Sequence, residues 1–379
     1  MRSLRHRSER QQRAHGSQFT VHGSQTAKSS MVDTMRKGES ELLGEILKRV
    51  SRTFFLSLNV LPKDLRRPVG LAYLFARAAD TIADTRLVSR DKRLECLELF
   101  RTEVRGNGVN GIRKVKEALT GPQKIPDERE LLARLEECFA IYRGLDPADR
   151  TRIRDLILTI TQGMQMDLTT FPGEEDGRLI ALKTRSDLDR YTYFVAGCVG
   201  EFWTEMHMAH RPSLRAWDVA EMKRRGVRFG KGLQMTNILR DLPRDLRIGR
   251  CYLPEQDLAA LGITPEDLLE PKAITKLRPL LCDLLAETVA HYQSGWSYTL
   301  AIPRREIRMR LACAWPLLIG LKTLALVAQS ENLLDPSVPT KISRPEVYRI
   351  MASSLPMIGS NRHLSLYYEA LRRTIPIAP

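Results

Sequence analysis

Two aspartates four residues apart occur twice in this chain, each time inside a stretch patterned for a protein interior. Asp80 and Asp84 close the segment ARAADTIAD, and Asp241 and Asp245 close NILRDLPRD. On a helix this spacing puts both side chains of a pair on one face, roughly 5–6 Å apart at Cβ. The first pair follows the apolar run VGLAYLFARAA, which reads as a helix buried on most sides. Carboxylates left unpaired there would be costly. An arginine accompanies each pair, Arg77 before the first and Arg240 before the second. One Asp pair alone reads as ordinary surface charge. Two copies in apolar, helix-forming surroundings favour a fold that brings the pairs face to face. Hard divalent cations such as Mg²⁺ take oxygen ligands and keep waters and substrate phosphates in their shell. The pattern therefore points to a cavity that clamps diphosphates through Mg²⁺.

The rest of the chain supplies helices to carry such a cavity. Apolar residues recur at helical spacing over 39–50, from Leu65 to Thr85, and near 90–105, 127–143, 148–171, 185–209, 214–242, 275–301, 305–329 and 344–373. Pro68 reads as a first-turn proline. Breaks fall at 106–111, 121–126, 172–177, 247–257 and 335–340. No run of alternating residues with paired turn signals supports a sheet, so the expectation is all-α with one core. The longest apolar segment, LACAWPLLIGLKTLALVA from Leu311, is interrupted by Pro316 and Lys322 and reads as a core helix kinked at proline.

With 379 residues the chain can bury a sizeable core. Its net charge of +15 favours anionic partners. Part of that charge belongs to residues 1–30, a polar, aperiodic stretch with six Lys and Arg against Glu9. Residues 1–38 are read as a disordered basic arm, and residues 39–379 as the catalytic domain. The six cysteines show no CxxC or Cys/His metal spacing and read as reduced thiols. No dinucleotide loop, P-loop or Ser-His-Asp order is present. His207 and His210 lack a ligand pattern and read as surface residues. Gly197 and Gly200 read as sites of close helix packing. Arg224, Arg225, Arg228 and Lys231 read as a solvated basic face.

Four ordered blocks then resemble the squalene/phytoene synthase family: SRTFFLSLNVLP (51–62), LAYLFARAADTIADT (71–85), YTYFVAGCVGEFW (191–203) and GLQMTNILRDLPRDLRIGRCYLP (232–254). The resemblance implies a single-domain isoprenoid synthase helical bundle with a central cavity. It also implies head-to-head condensation of two allylic prenyl diphosphates. Carried over by position, Asp80, Asp84, Asp241, Asp245 and Asn237 match metal-site residues for Mg²⁺. Arg52, Arg77, Arg240, Arg250 and Gln234 match diphosphate-binding positions. Tyr191 matches a tyrosine that handles protons near the carbocation, and Phe54 and Tyr73 match positions near the isoprenoid cavity.

Within the family, ARAADTIADT resembles the squalene branch, as does TKISRPEVYRIM (340–351), where Lys341 and Arg344 are the candidates for NADPH contact. Ala83 departs from the acidic residue common before the last Asp of the first motif, and NILRDLPRDLRIGRCYLP stands close to phytoene synthase wording. The leading expectation is a squalene synthase acting on farnesyl diphosphate with Mg²⁺ and NADPH. Phytoene, dehydrosqualene or hydroxysqualene formation, or a non-catalytic scaffold on the same fold, are the alternatives. A head-to-tail prenyltransferase would show DDxxD motifs instead. The expected setting is a cytoplasmic monomer, peripheral to membrane at most, without nucleic-acid binding.

Overall fold

Helical periodicity sets the architecture, and sixteen α-helices account for most of the described chain. The computed structural model describes residues 37–376, except 52, 53, 109, 172–176 and 339. Nearly all of the expected basic arm, and Arg52, lie outside these residues. The elements run α1 (Leu47–Ser51), α2 (Phe55–Val60), α3 (Lys63–Asp84), α4 (Arg90–Val104), α5 (Gly111–Leu119), α6 (Pro126–Ala133), α7 (Leu135–Arg143), α8 (Pro147–Thr170), β1 (Ile180–Leu182), α9 (Arg185–Thr192), α10 (Cys198–His210), α11 (Val219–Arg247), β2 (Arg250–Pro254), α12 (Glu255–Ala260), α13 (Ile274–Ala301), α14 (Ile307–Gln329), α15 (Arg344–Ser354) and α16 (Asn361–Arg372). A π-helical segment, Tyr193–Gly197, joins α9 to α10.

Local chemistry explains where the long helices begin. Asp146 accepts from the Ala148 amide ahead of Pro147 to open α8, and Thr184 with Asp187 forms a capping box on α9. Asp218 caps α11 and Ser343 caps α15. α3 begins at Lys63, one turn earlier than its proline implied, so Pro68 sits inside the helix. α14 runs unbroken through Pro316. It is long and apolar enough to cross a membrane by length and composition, yet 72% of its apolar window is buried, as expected of a core helix.

Several features differ from the periodicity reading. β1 and β2 form a two-stranded parallel sheet whose strands, three and five residues long, are too short to show alternation. α5 was not anticipated, because it is a short helix between two breaks. His207 is fully buried, its Nδ1 2.8 Å from the Trp203 carbonyl, and His210 contacts Asp149 at 2.9 Å. Neither is a free surface residue, since both lie on an α10 packed on two sides. The buried apolar residues form two large clusters and a small third where one core was expected. The reason is a central cavity of about 500 Å³ lined by members of all three.

That cavity survives because two helices approach through backbone instead of side chains. A Cβ on Gly200 would lie 1.9 Å from the Gly226 carbonyl oxygen, and one on Gly230 would lie 2.1 Å from the Ala196 oxygen. These three glycines line the cavity wall between α10 and α11. No side chain could occupy the contact without separating the helices. Gly200→Ala should therefore destabilise the fold by about 3 kcal/mol or more, the upper range of overpacking. Chemical denaturation would show this as a lower midpoint, and an unchanged midpoint would refute the close packing.

Candidate functional site

Two helices grade from apolar to polar along the cavity. α3 presents Val69, Ala72 and Tyr73, then Arg77 and Asp80; α11 presents Gly226, Phe229 and Leu233, then Gln234 and Asn237. Each graded stretch spans about 16 Å at the α-helical rise. Asp84 lies one turn beyond Asp80, and Asp241 one turn beyond Asn237, so both acidic pairs extend from the polar end. The remaining walls are apolar or aromatic, including Phe54, Phe202, Trp203 and Tyr298. Phe54 stacks on Tyr73 with ring centroids 5.5 Å apart.

Each acidic pair comes with its own arginine. Arg77 donates to Asp80 at 2.5 Å and to buried Glu128 at 2.5 Å. Arg240 donates through Nε to Asp241 at 2.9 Å. Arg250, the first residue of β2, lies 3.6 Å from Asp84 and 3.8 Å from Asp167, which ties the end of α3 to α8. The short strand thus delivers a guanidinium between two helices. Gln234 and Asn237 are bonded to each other at 3.3 Å.

The carboxylates are crowded. Loss of water around Asp80, together with the charge of Asp84, holds its pKa well above the usual carboxylate range. Burial and the charge of Asp241 raise Asp245 to about 7, with Asp84 adding to the effect and Arg250 and Arg244 opposing it. Asp84 and Asp245 therefore feel one another across the gap between the two motifs. Arg86 is within reach of both, and its pKa is lowered by burial and by Arg250.

Sequence reasoning missed Asp167, which also lines the cavity. The Tyr191 and Tyr252 hydroxyls each donate to it at 3.2 Å. The two rings stack with centroids 4.8 Å apart. Burial, partly offset by Arg250, raises Asp167 to about 7, while burial and the charge of Asp167 push Tyr191 upward. A single acid in QGMQMDLTT has no partner at helical spacing, so only the fold reveals it. Tyr252 and Glu128 were missed for the same reason. Despite burial, Tyr252, Asp167 and Asp84 keep Arg250 firmly charged.

Of the residues anticipated from sequence, Phe54, Tyr73, Arg77, Asp80, Tyr191, Gln234 and Asn237 line the cavity. Asp84, Asp241, Asp245, Arg240 and Arg250 adjoin its polar end. Lys341 and Arg344 are exposed and do not line it. The Thr340 hydroxyl donates to the Arg240 carbonyl at 3.1 Å, so the residue before Lys341 touches the second acidic motif. Arg344 is the first residue of α15. Ala83 is buried, and its carbonyl accepts from Arg93 at 2.8 Å.

The donor set suits Mg²⁺. Among the described residues no three acidic or histidine side chains converge as a ready-made cage. Mg²⁺ does not need one, because it binds through one or two carboxylates and completes its shell with waters and phosphate oxygens. Two Asp pairs whose mutual repulsion the arginines only partly offset provide such carboxylates.

Comparison with known proteins adds independent evidence. The squalene/phytoene synthase family profile matches residues 47–346. The squalene synthase of Eremothecium gossypii is 26% identical over 349 residues, covering 91% of this chain and 75% of that protein. The complex of TcSQS with the ligand BPH1237 superposes with a TM-score of 0.71 at 22% identity, covering 89% of this chain and 96% of that one. A dehydrosqualene synthase in complex with ligand gives 0.59 at 21% identity, covering 89% and 99%. These structural likenesses show a shared all-α fold.

The raised carboxylates have a consequence for stability. Asp167 and Asp245 have folded-state pKa values of about 7 against 3.8 in their ordinary state. Between those values the folded chain holds more protons than the unfolded chain, so their contribution to stability falls as pH rises through this window. The thermal midpoint of the metal-free protein should therefore drop between about pH 4 and about pH 7. Asp245→Asn should flatten the drop, and Mg²⁺ should raise the midpoint most at the alkaline end. A wild-type profile that rises with pH and is unaffected by Asp245→Asn would contradict the crowding.

Proposed function

The chain belongs to the squalene/phytoene synthase family, and from that premise we propose that it is a squalene synthase. On this reading it joins two farnesyl diphosphates head to head and reduces the presqualene diphosphate intermediate with NADPH. The observation that carries the proposal is an apolar, aromatic cavity graded along two helices into paired aspartates and arginines. Membership alone establishes a head-to-head isoprenyl synthase type of enzyme. The squalene product is favoured by the named relative covering 91% of this chain, and by Thr340, just before Lys341, bonding the backbone of the second acidic motif.

The chain's own groups account for the first chemistry. Asp80 and Asp84 on one side, and Asp241, Asp245 and Asn237 on the other, would hold Mg²⁺, which when bound neutralises diphosphate charge. Arg77, Arg240 and Arg250, with Gln234, would orient the diphosphates, the guanidinium forks matching phosphate oxygens. Arg52 keeps the same proposed role. The apolar walls exclude water from the allylic cation formed when the C–O bond to diphosphate breaks, and the faces of Phe54 and Tyr73 stabilise its charge. The double bond of the second substrate then supplies the electron pair for the new C–C bond. Proton loss closes the cyclopropane ring. On this reading the Tyr191 hydroxyl takes that proton while passing its own to Asp167, to which it donates at 3.2 Å and whose pKa of about 7 suits a base at neutral pH.

NADPH supplies hydride in the second half-reaction, and Lys341 and Arg344 would meet its phosphates. The same proposal makes the enzyme a monomer in the cytoplasm that meets membrane only at its surface. Residues 39–379 are its catalytic domain.

Incubation with farnesyl diphosphate and Mg²⁺, with and without NADPH, tests the reading by mass spectrometry. Squalene formed only with NADPH is the expected result. A dehydrogenated or cyclopropyl C30 product regardless of NADPH would assign a sister activity, and phytoene from geranylgeranyl diphosphate alone would overturn the substrate. Asp80→Asn or Asp241→Asn should lower turnover on the order of 10²-fold or more with the fold retained. Near-normal rates would remove their metal role. Asp167→Asn should lower the rate of cyclopropane formation by on the order of 10²-fold and remove the contribution of the Asp167 carboxyl to the rate's pH profile.

A further inference from the structure

The basic stretch RRGVR of α11 is not used by the catalytic cavity. Gly226, Phe229 and Gly230 face that cavity, whereas Arg224, Arg225 and Arg228 face away from it, across a second hollow toward α13. This hollow has a volume of about 270 Å³ and is closed on the α13 side by Gln293, Ser294 and Ser297. Both sets follow helical spacing of three and four residues, so two polar stripes confront each other along packed helices. Arg224 and Arg228 are exposed, as a solvated basic face requires, and with α13 opposite the stretch bounds a concave polar groove.

The groove has surplus positive charge. Three guanidiniums face one carboxylate, Glu221, leaving two positive charges in excess. Glu221 engages Arg224 and Arg225, the latter at 2.5 Å. Among the described residues no carboxylate pairs with Arg228, which reaches only the Ala290 carbonyl at 3.4 Å. His291, one residue beyond Ala290, is lowered to about 4 by burial and then by Arg228 and Lys231, as expected in a positive local field. Lys231 is paired with Asp189, so it adds little to the surplus.

We propose that this groove is a second anion site, built for a phosphate or diphosphate group and separate from the catalytic cavity. Guanidinium forks from Arg225 and Arg228 contact the phosphate oxygens, and the Ser297 hydroxyl and Gln293 amide supply neutral donors. The group belongs either to a free anion or to a lipid headgroup carrying a phosphomonoester, since both present the same oxygens.

Titration calorimetry of the full chain with inorganic diphosphate, without Mg²⁺, tests the free-anion form. Co-sedimentation with phosphatidylcholine vesicles, with and without phosphatidic acid, tests the lipid form. The R225Q/R228Q variant should weaken one binding event by ~10-fold or more, the scale of lost charged hydrogen bonds. Its turnover and ligand-free thermal midpoint should match the parent. R228Q alone breaks no ion pair and should reproduce most of the loss, which guards against a folding defect. An R77Q/R240Q variant should retain the event. A loss confined to diphosphate titration identifies a free anion, and a loss confined to phosphatidic acid vesicles identifies a headgroup. Equal binding by parent and R225Q/R228Q in both assays would overturn the site.

Discussion

Crowded carboxylate charge at one end of a hole in the core is the constraint on which the rest of this fold depends. Asp80, Asp84, Asp167, Asp241 and Asp245 come from three helices and would repel one another in a space stripped of much of its water. The arginines make the arrangement tenable. Arg77 and Arg240 each serve their own motif, but Arg250 bridges two helices that already pack together, α3 and α8, by lying between Asp84 and Asp167. Its delivery requires the chain to leave α11, turn at Gly249 with φ +80°, and enter β2. The small parallel sheet, marginal as a structural element, is thus explained by the position of one guanidinium.

The cavity has a second requirement, that its walls be thin. Backbone contact between α10 and α11 at Gly200, Gly226 and Gly230 closes one side without filling the space with side chains. The π-helical segment at Tyr193–Gly197 works with this contact. A wider turn re-aims the helix between Tyr191, which faces Asp167, and Ala196, which meets Gly230. Packing and chemistry are therefore specified over the same few residues, and a change that refills the wall would disturb the proton-handling tyrosine with it.

How much of this was legible in the sequence depended on repetition. Helices of twenty residues and more announced themselves by periodicity, and the acidic pairs by occurring twice. Arg77 and Arg240 were legible from position alone, since each precedes its pair within a turn. Asp167 and Tyr252 were not. Each is a lone polar residue whose cited partners are 24 to 85 residues away, and no local pattern encodes that proximity. His207 was misread because an isolated histidine has no periodic signal of its own, although its neighbours Phe202 and Met206 are core residues. The basic stretch at 224–228 was legible as exposed charge, but its concavity was not, for a related reason. Charge every three or four residues marks a helix face, but whether that face is convex and solvated or concave depends on what α13 brings opposite.

The two polar sites share one helix, and this gives the groove mechanical meaning. Arg225 and Gly226 are adjacent, yet one faces the outer groove and the other forms the backbone contact that bounds the catalytic cavity. An anion drawing Arg225 and Arg228 toward α13 pulls on the same turns of α11 that meet Gly200 and Ala196. Because those contacts are backbone to backbone, they have no side-chain rotamers with which to absorb a displacement, and close-packed interfaces transmit strain instead of dissipating it. Three turns further along the same helix stand Asn237, Arg240 and Asp241. The proposed outer groove and the second acidic motif therefore stand on one continuous helix, α11, whose backbone contacts fix the position of both.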